Sequence, residues 1–495
     1  MASSGSGPSD RALDSAYSVV VAIDFGTTYS GYAVSFKKNP DDIFVQNTWG
    51  DVMGIPGASK TPSCVLTDKK INCIAVGHKA IKKYINMDSD EAKQHRFYSL
   101  FKMTLHTKKT LNKTTMVEDI CGNKAPAIDI LAMVLAEMKA EMLVALSKQG
   151  ARDFDVNLIR WVITVPTIWT DVAKRFMQEA AVKADLVDHV DSKKLILSLE
   201  PEAASICCQT LPSVKNALKN DSSFVLPVGT KYLVLDAGGG TLDITAHEVL
   251  PETQVKELYR SNGGDLGASQ VDRLFLELLD EIFDAKFVKL HKTKNPSDCF
   301  TNLINRFETV KKSLKSSDGS ATTAFRITAN IVDLFHTEFK KKLLECVSKK
   351  SIERKIVVKN GMIKIPNAVL LAVFQPVVND IVSYLEDLLK KTKLEGITTI
   401  LMVGGFSNCD VLQEAIKTKF SDKYSVVIPK EADQVVMKGA VQFGHKPRQR
   451  CVFESPAKRP RPDDGERPEG DTTKKMRGPN KTDLWWANCQ KRGAI

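Results

Sequence analysis

Two short stretches of this chain, 212 residues apart, spell the same local structure. Val19 to Ile23 is an apolar, β-branched run that ends at Asp24; Gly26, Thr27 and Thr28 follow before the chain runs back through Gly31 to Ser35. Tyr232 to Leu235 is a second such run. It ends at Asp236, turns through Gly238, Gly239, Gly240 and Thr241, and returns along Leu242 to Val249. Short apolar runs bounded by glycine-rich turns read as buried strands joined in hairpins. A single hairpin of this kind says little, because glycine-rich turns commonly join plain strands. Two in matching context predict a duplicated fold with a site between the copies.

The intervening chain alternates strands and helices, the pattern of an α/β fold. Leu158 to Val165 reads as a strand ending at Pro166, Asp171 opens a helix through Asp185, Leu195 to Leu199 is a strand ending at Glu200, and Glu202 opens another helix. Asp129 is placed to cap a helix carrying Ile130, Leu131, Val134, Leu135, Met138, Met142 and Leu146 at helical spacing, with Gly150 as its stop. Residues 265–350 read as largely helical; Thr398 to Val403 is a late buried strand, and Asp410 caps a helix to Phe420.

The expected division is a disordered N-terminus at 1–16, a first lobe at 17–227 with an inserted subdomain at 49–125, a second lobe at 228–445 with an insertion at about 261–377, and a tail at 446–495. The net charge of +11 is unevenly placed. From Lys446 onward 13 Lys/Arg face 7 Asp/Glu, and six of the 20 prolines lie there, as in a disordered segment. The preceding body is nearly balanced, so direct nucleic-acid binding is not expected. No run reaches the roughly 18 apolar residues of a membrane span; Ile365 to Val378 is interrupted by Pro366, Asn367, Gln375 and Pro376. The first 16 residues show no apolar signal core, and the ten cysteines show no ligand pairing, so a cytoplasmic protein with reduced thiols is expected. Lys458-Arg459-Pro460-Arg461 reads as a short nuclear-import patch, and Trp485-Trp486 as a hydrophobic spot able to anchor on a partner or on the body.

Glycines directly after a strand let backbone N–H groups reach phosphate oxygens with no Cβ in the way, and threonine hydroxyls add donors. A carboxylate at each strand end can hold Mg²⁺ through its waters. Two facing hairpins would clamp the phosphates of a nucleoside triphosphate from both sides.

The motifs in order resemble those of the actin-like ATPase superfamily, and specifically the 70-kDa heat-shock protein family. Asp24-Phe-Gly-Thr-Thr-Tyr-Ser30 is similar to its first phosphate motif, Val162-Ile-Thr-Val-Pro166 with Glu200-Pro-Glu-Ala-Ala204 to the segment connecting the lobes, and Asp236 to Asp243 to its second phosphate motif. Gly263-Gly-Asp-Leu-Gly267 resembles the following glycine cluster and Leu401-Met-Val-Gly-Gly-Phe-Ser407 the adenosine motif. The wording around Thr167-Ile-Trp-Thr-Asp171 and Leu199 to Ala204 most resembles the atypical branch called heat shock 70 kDa protein 12.

The resemblance implies an actin-like (ribonuclease H-like) fold of two lobes, each with a central mixed sheet, and ATP or ADP with Mg²⁺ in the cleft. It implies that Gly26, Thr27, Thr28 and Tyr29, with Gly238, Gly239, Gly240 and Gly263-Gly264, contact the phosphates. Asp24 and Asp236 would order the waters of Mg²⁺ and the attacking water, Thr241 would face the γ-phosphate, Glu200 would orient water, and Asp243 would hold a monovalent ion such as K⁺ or support the other acids. Glu308, Lys311 and Lys312 would hold adenine and ribose, completed by Gly404, Gly405 and Asp433. The catalytic lysine has its counterpart in Lys102. Phe406-Ser-Asn408 replaces the usual basic residue of the adenosine motif, and Lys315 stands where a small polar residue would line the base pocket.

No β-sandwich peptide-binding domain is expected after Gly444, which argues against ordinary peptide chaperoning by this chain alone. Three functions stay open: a weak ATPase whose lobe closure is read by unidentified protein partners, a non-hydrolysing nucleotide-sensing scaffold, and a small-molecule kinase of the same fold.

Overall fold

Each of the two apolar runs becomes the centre of a sheet in the computed structural model. It describes residues 17–447, apart from 50, 54–56, 109, 149–154, 210, 212–213, 215–226, 252–253 and 284–285, together with residues 451–452. The expected N-terminus at 1–16, the stop at Gly150, the import patch and Trp485-Trp486 lie outside the described residues.

In the first lobe β1 (Val19–Phe25) pairs antiparallel with β2 (Tyr29–Phe36), which pairs with β3 (Asn39–Val45). On its other side β1 runs parallel to β4 (Ile159–Val165), and β4 parallel to β5 (Leu195–Leu199). The second lobe repeats this order. β6 (Lys231–Ala237) pairs antiparallel with β7 (Leu242–Val249), β7 with β8 (Val255–Gly264), and β6 runs parallel to β9 (Thr399–Val403), which runs parallel to β10 (Ser425–Val427). Both are mixed sheets of six strands; Thr61–Pro62 pairs with β2 in the first, and Cys451–Val452 with β8 in the second.

Successive side chains of a strand point to opposite faces, so a strand buried on both sides reads as a continuous apolar run. That is why β1 shows no polar alternation. Its Val19, Val21 and Ile23 belong to the core of the first lobe, beneath α1 (Ala127–Lys148) and α2 (Asp171–Lys183), whereas Val20 and Ala22 belong to a core between the lobes. β6 divides the same way: Leu233, Leu235 and Ala237 face the core of the second lobe, and Tyr232 and Val234 the shared core.

The shared core is closed by α3 (Glu200–Cys208) and α8 (Val435–His445), which contribute Ala203, Ala204, Cys207 and Cys208, and Val436, Met437, Ala440 and Val441. The Cys207-Cys208 pair is thus core packing, and burial pushes the Cys207 thiol up to about 12. The second-lobe core gathers α4 (Ala268–Ile282), α5 (Asn305–Ser313), α6 (Asn367–Leu389) and α7 (Asp410–Phe420). By length and composition α6 could cross a membrane, but Leu370, Phe374, Ile381 and Leu385 are fully buried in this core, and the helix continues past Pro376.

Several helix starts differ from the sequence reading. α1 begins at Ala127, directly after the strand Lys124–Pro126, so Asp129 lies in the first turn and pairs with Lys183 at 2.5 Å. α2, by contrast, opens at Asp171 as read, capped by Thr170, whose hydroxyl accepts from the Ala173 N–H, and it ends at Lys183 rather than Asp185. α3 starts at Glu200, with Pro201 in the first turn where its missing N–H leaves no bond unmade. Asp410 is likewise inside α7, its carboxylate accepting the Ser316 N–H at 2.7 Å. Of the expected insertion limits, residue 261 lies within β8 and residue 377 within α6.

Candidate functional site

The ends of β1 and β6 bring the two hairpins together. In the first, Ser63 holds the turn: its hydroxyl donates to the Gly26 carbonyl at 2.7 Å and its N–H to the Thr28 carbonyl at 2.8 Å. In the second, Gly238 N–H donates to the Thr241 carbonyl at 3.0 Å, and the start of α4 is tied on by the Ser269 N–H, which donates to the Gly239 carbonyl at 2.8 Å. The hairpins touch. A Cβ on Gly239 would stand 2.0 Å from Thr28 Oγ1, and one on Gly240 would stand 2.6 Å from Thr27 Oγ1 and 2.5 Å from Met103 Sδ. The glycines are therefore required by the approach of the opposite hairpin, before any ligand is considered. Gly263 and Gly264 sit instead at the end of β8: Gly264 pairs with Leu242, and a Cβ on Gly263 would meet the Leu242 side chain at 2.6 Å. The glycine that meets the second hairpin is Gly267, whose Cβ would lie 2.4 Å from the Gly240 carbonyl carbon.

Behind the hairpins lies a buried acidic group. Asp24, Asp236 and Asp243 are 5%, 6% and 1% exposed, although charged side chains are seldom buried unless paired. Asp24 accepts from Thr164 Oγ1 at 3.0 Å and from Lys60 Nζ at 2.5 Å. Lys102 Nζ donates to Glu200 Oε1 at 2.8 Å and lies 5.3 Å from the Trp169 ring centre. Burial, reinforced by Glu200, Asp243 and Asp24 and opposed by Lys60, holds the Asp236 carboxyl well above the usual carboxylate range. Burial and then Glu200 push Asp243 up to about 7. Burial likewise raises Glu200, with Lys102 opposing and Asp24 adding to the rise. Burial works against the charge on Lys60, but Asp24 above all, then Asp433 and Asp236, outweigh it and raise its pKa.

The residues expected around adenine and ribose form a separate network across the cleft. Tyr29, read from sequence as a phosphate contact, donates its hydroxyl to Glu308 Oε1 at 2.9 Å and accepts from Lys312 Nζ at 2.5 Å. Lys311 reaches Asp272 Oδ1 and Glu308 Oε2, both at 2.6 Å. Burial opposes the charge on Glu308, but Lys311 and Lys312 outweigh it and hold the carboxyl below the usual range. Ser59 Oγ donates to Asp433 Oδ2 at 2.6 Å, a second tie between lobes. Gly404 has φ +86° and approaches Asp236 so closely that a Cβ would stand 2.3 Å from Oδ1; Gly405 is open, with nothing within 4 Å of such an atom. Phe406 is buried in the second-lobe core, and Lys315 is exposed.

Sequence reasoning missed Lys60, Ser59, Thr164, Asp272 and Gly267. Lys60 and Ser59 belong to no periodic pattern, Thr164 reads only as part of a strand, and Asp272 shows itself only through Lys311, 39 residues away. The last could have been found, since it closes the Gly263 to Gly267 cluster. A groove of about 660 Å³ lies elsewhere, lined by Lys113, Ile128, Asp129, Glu179, Val182 and Lys183, with none of the buried acids.

Among the described residues no three His, Cys, Asp or Glu side chains stand close enough to ligate a metal together. That fits Mg²⁺, which keeps several waters and needs few protein ligands. Asp243 Oδ1 is buried with no hydrogen-bond partner, an acceptor a hydrated or monovalent cation would satisfy.

Residues 20–446 match the family described as Hsp70 protein. Heat shock 70 kDa protein 12A of Mus musculus is 35% identical over 483 residues, covering 88% of this chain and 71% of that protein. The Homo sapiens protein of the same name is 34% identical over the same shares. Heat shock 70 kDa protein 12B of Homo sapiens is 31% identical over 87% of this chain and 69% of its own. Two sheets of one topology, two hairpins meeting over buried acids, and these likenesses converge: the chain belongs to the 70-kDa heat-shock protein family and carries its actin-like, two-lobed nucleotide-binding fold.

Proposed function

We propose that this chain binds ATP with Mg²⁺ between its lobes and hydrolyses it slowly, with lobe closure as the output that protein partners read. The observation that carries this is the meeting of Thr27 and Thr28 with Gly240 and Gly239 over the carboxylates of Asp24 and Asp236. Backbone N–H groups and threonine hydroxyls on both sides are what a polyphosphate needs as donors. Because the hairpins are already in contact, phosphates enter only as the lobes part, and closing on them gains contacts that the open form lacks.

Mg²⁺ would be held through water by Asp24 and Asp236 and would neutralise charge on the phosphate oxygens. The chain's own residues do the rest. Lys102 fixes Glu200, whose carboxylate orients the attacking water; Thr241 faces the terminal phosphate; and Glu308, Lys311 and Lys312 hold adenine and ribose after releasing Tyr29. Catalysis of this kind is positioning and electrostatic stabilisation rather than covalent chemistry.

A second reading, binding without turnover, draws support from Lys60, which already engages Asp24. The test is a thermal melt with and without ATP·Mg²⁺ alongside phosphate release. Nucleotide at about 100 times its Kd should stabilise the chain by about 2.7 kcal/mol. A shift without phosphate release selects the second reading, and no shift at saturating nucleotide rejects both.

A further inference from the structure

Among the described residues Lys60 is an ammonium of the cleft to which the hydrolytic reading above gives no task. It belongs to the loop leading into Thr61–Pro62, the short strand beside β2. Its stem lies over Gly31: a Cβ there would stand 3.0 Å from Lys60 Cγ and 2.8 Å from the Ser59 carbonyl oxygen, so β2 leaves the room the side chain occupies. The neighbouring Ser59 anchors the loop to Asp433 of the second lobe. From this position Nζ donates to Asp24 Oδ2, and the side chain is only 14% exposed.

Four buried or nearly buried carboxylates, Asp24, Glu200, Asp236 and Asp243, share the site with two ammoniums, Lys60 and Lys102. A nucleotide entering without metal brings its phosphate charge up against these acids in a buried site, where charge interactions are screened far less than in water. A lysine is a point charge suited to phosphate. On the nucleotide-binding reading, we propose that Lys60 is a tethered cation of the phosphate site. It supplies part of the neutralisation that Mg²⁺ otherwise provides, so nucleotide binding by this chain depends only weakly on divalent metal.

The experiment measures Kd for ATP and ADP by calorimetry on the full chain, with Mg²⁺ and with excess EDTA, for the parent, Lys60→Met and Lys60→Arg. We expect removal of Mg²⁺ to raise Kd by less than about tenfold in the parent and in Lys60→Arg, and by more than about a hundredfold in Lys60→Met. A parent that binds with Mg²⁺ but weakens a hundredfold or more in EDTA overturns the proposal and leaves the nucleotide reading standing; this arm needs no variant. A Lys60→Met chain that is native by circular dichroism and keeps the parent's ratio overturns it too. A parent that binds under neither condition overturns the nucleotide reading, and this inference with it.

Discussion

One methyl group at Gly439 should loosen the junction between the lobes. Where α8 crosses α3, a Cβ built on Gly439 stands 1.7 Å from the Ala203 carbonyl oxygen and 2.5 Å from the carbonyl carbon. Close carbon–oxygen contacts lie near about 3.3 Å, so Gly439→Ala must move the helices apart by roughly 1.6 Å. Both clashing atoms belong to helical backbone, so no flexible side chain can give way. The residues that lose contact include Ala204, Val436, Met437 and Ala440 of the shared core. Overpacking of this sort costs roughly 1–3 kcal/mol, occasionally more. Alanine's better helix propensity returns up to about 1 kcal/mol. The net expectation is a loss of about 1–2 kcal/mol or, for a body of this size, a fall in Tm of about 1–2 °C. Gly405→Ala is the control, because its Cβ would meet nothing within 4 Å; it should stay within about 0.5 kcal/mol of the parent. Scanning calorimetry on the three proteins decides. If Gly439→Ala melts with the parent and with Gly405→Ala, the crossing is not constrained by that approach and the reasoning is wrong.

Two further outcomes concern the buried acids. Asp24→Asn and Asp236→Asn should each lower phosphate release at least about tenfold with the fold intact, because each strand-end carboxylate orders water on the metal; parent-like turnover in both would remove them from the chemistry. Burial pushes Glu202 up to about 7 from an ordinary 4.5, against the pull of Arg260. Its ionisation thus costs the folded state nothing below about pH 4.5 and progressively more as pH rises to about 7, above which the cost stays level. Glu202→Gln should therefore gain stability relative to the parent between pH 5 and pH 8, by roughly 2–3 kcal/mol at most, and urea unfolding at the two pH values with an unchanged difference would refute this.

The sequence made the acids and turns of the site legible, because each follows an apolar run whose two faces are both buried. Val19 to Ile23 and Tyr232 to Leu235 could be read as strands for that reason, and Asp24 and Asp236 as their ends. What it could not show is how side chains pair across the cleft. Tyr29 sits beside two threonines in sequence, yet its partner Glu308 is 279 residues away. Lys60 lies in a loop without periodicity, and its place on Asp24 follows from the pairing of Thr61 with Ser30, a tertiary event. Helix starts failed by about two residues where the end of a preceding strand, rather than the acid, sets the boundary, as at Ala127 and Glu200.

The proline inside α6 has a consequence for how that helix lies on its lobe. Pro376 has no N–H to offer the carbonyl of Ala372, one turn earlier. Both residues are exposed, while Val373, Phe374, Val377 and Val378 are buried on the other side. The break in the backbone ladder is thus confined to the wet side, where water can take the freed carbonyl and the helix can bow around the core beneath it. In hydrocarbon the same carbonyl, turned to lipid, would have nothing to accept from. The 23 residues of α6 are composed for a surface with one dry side.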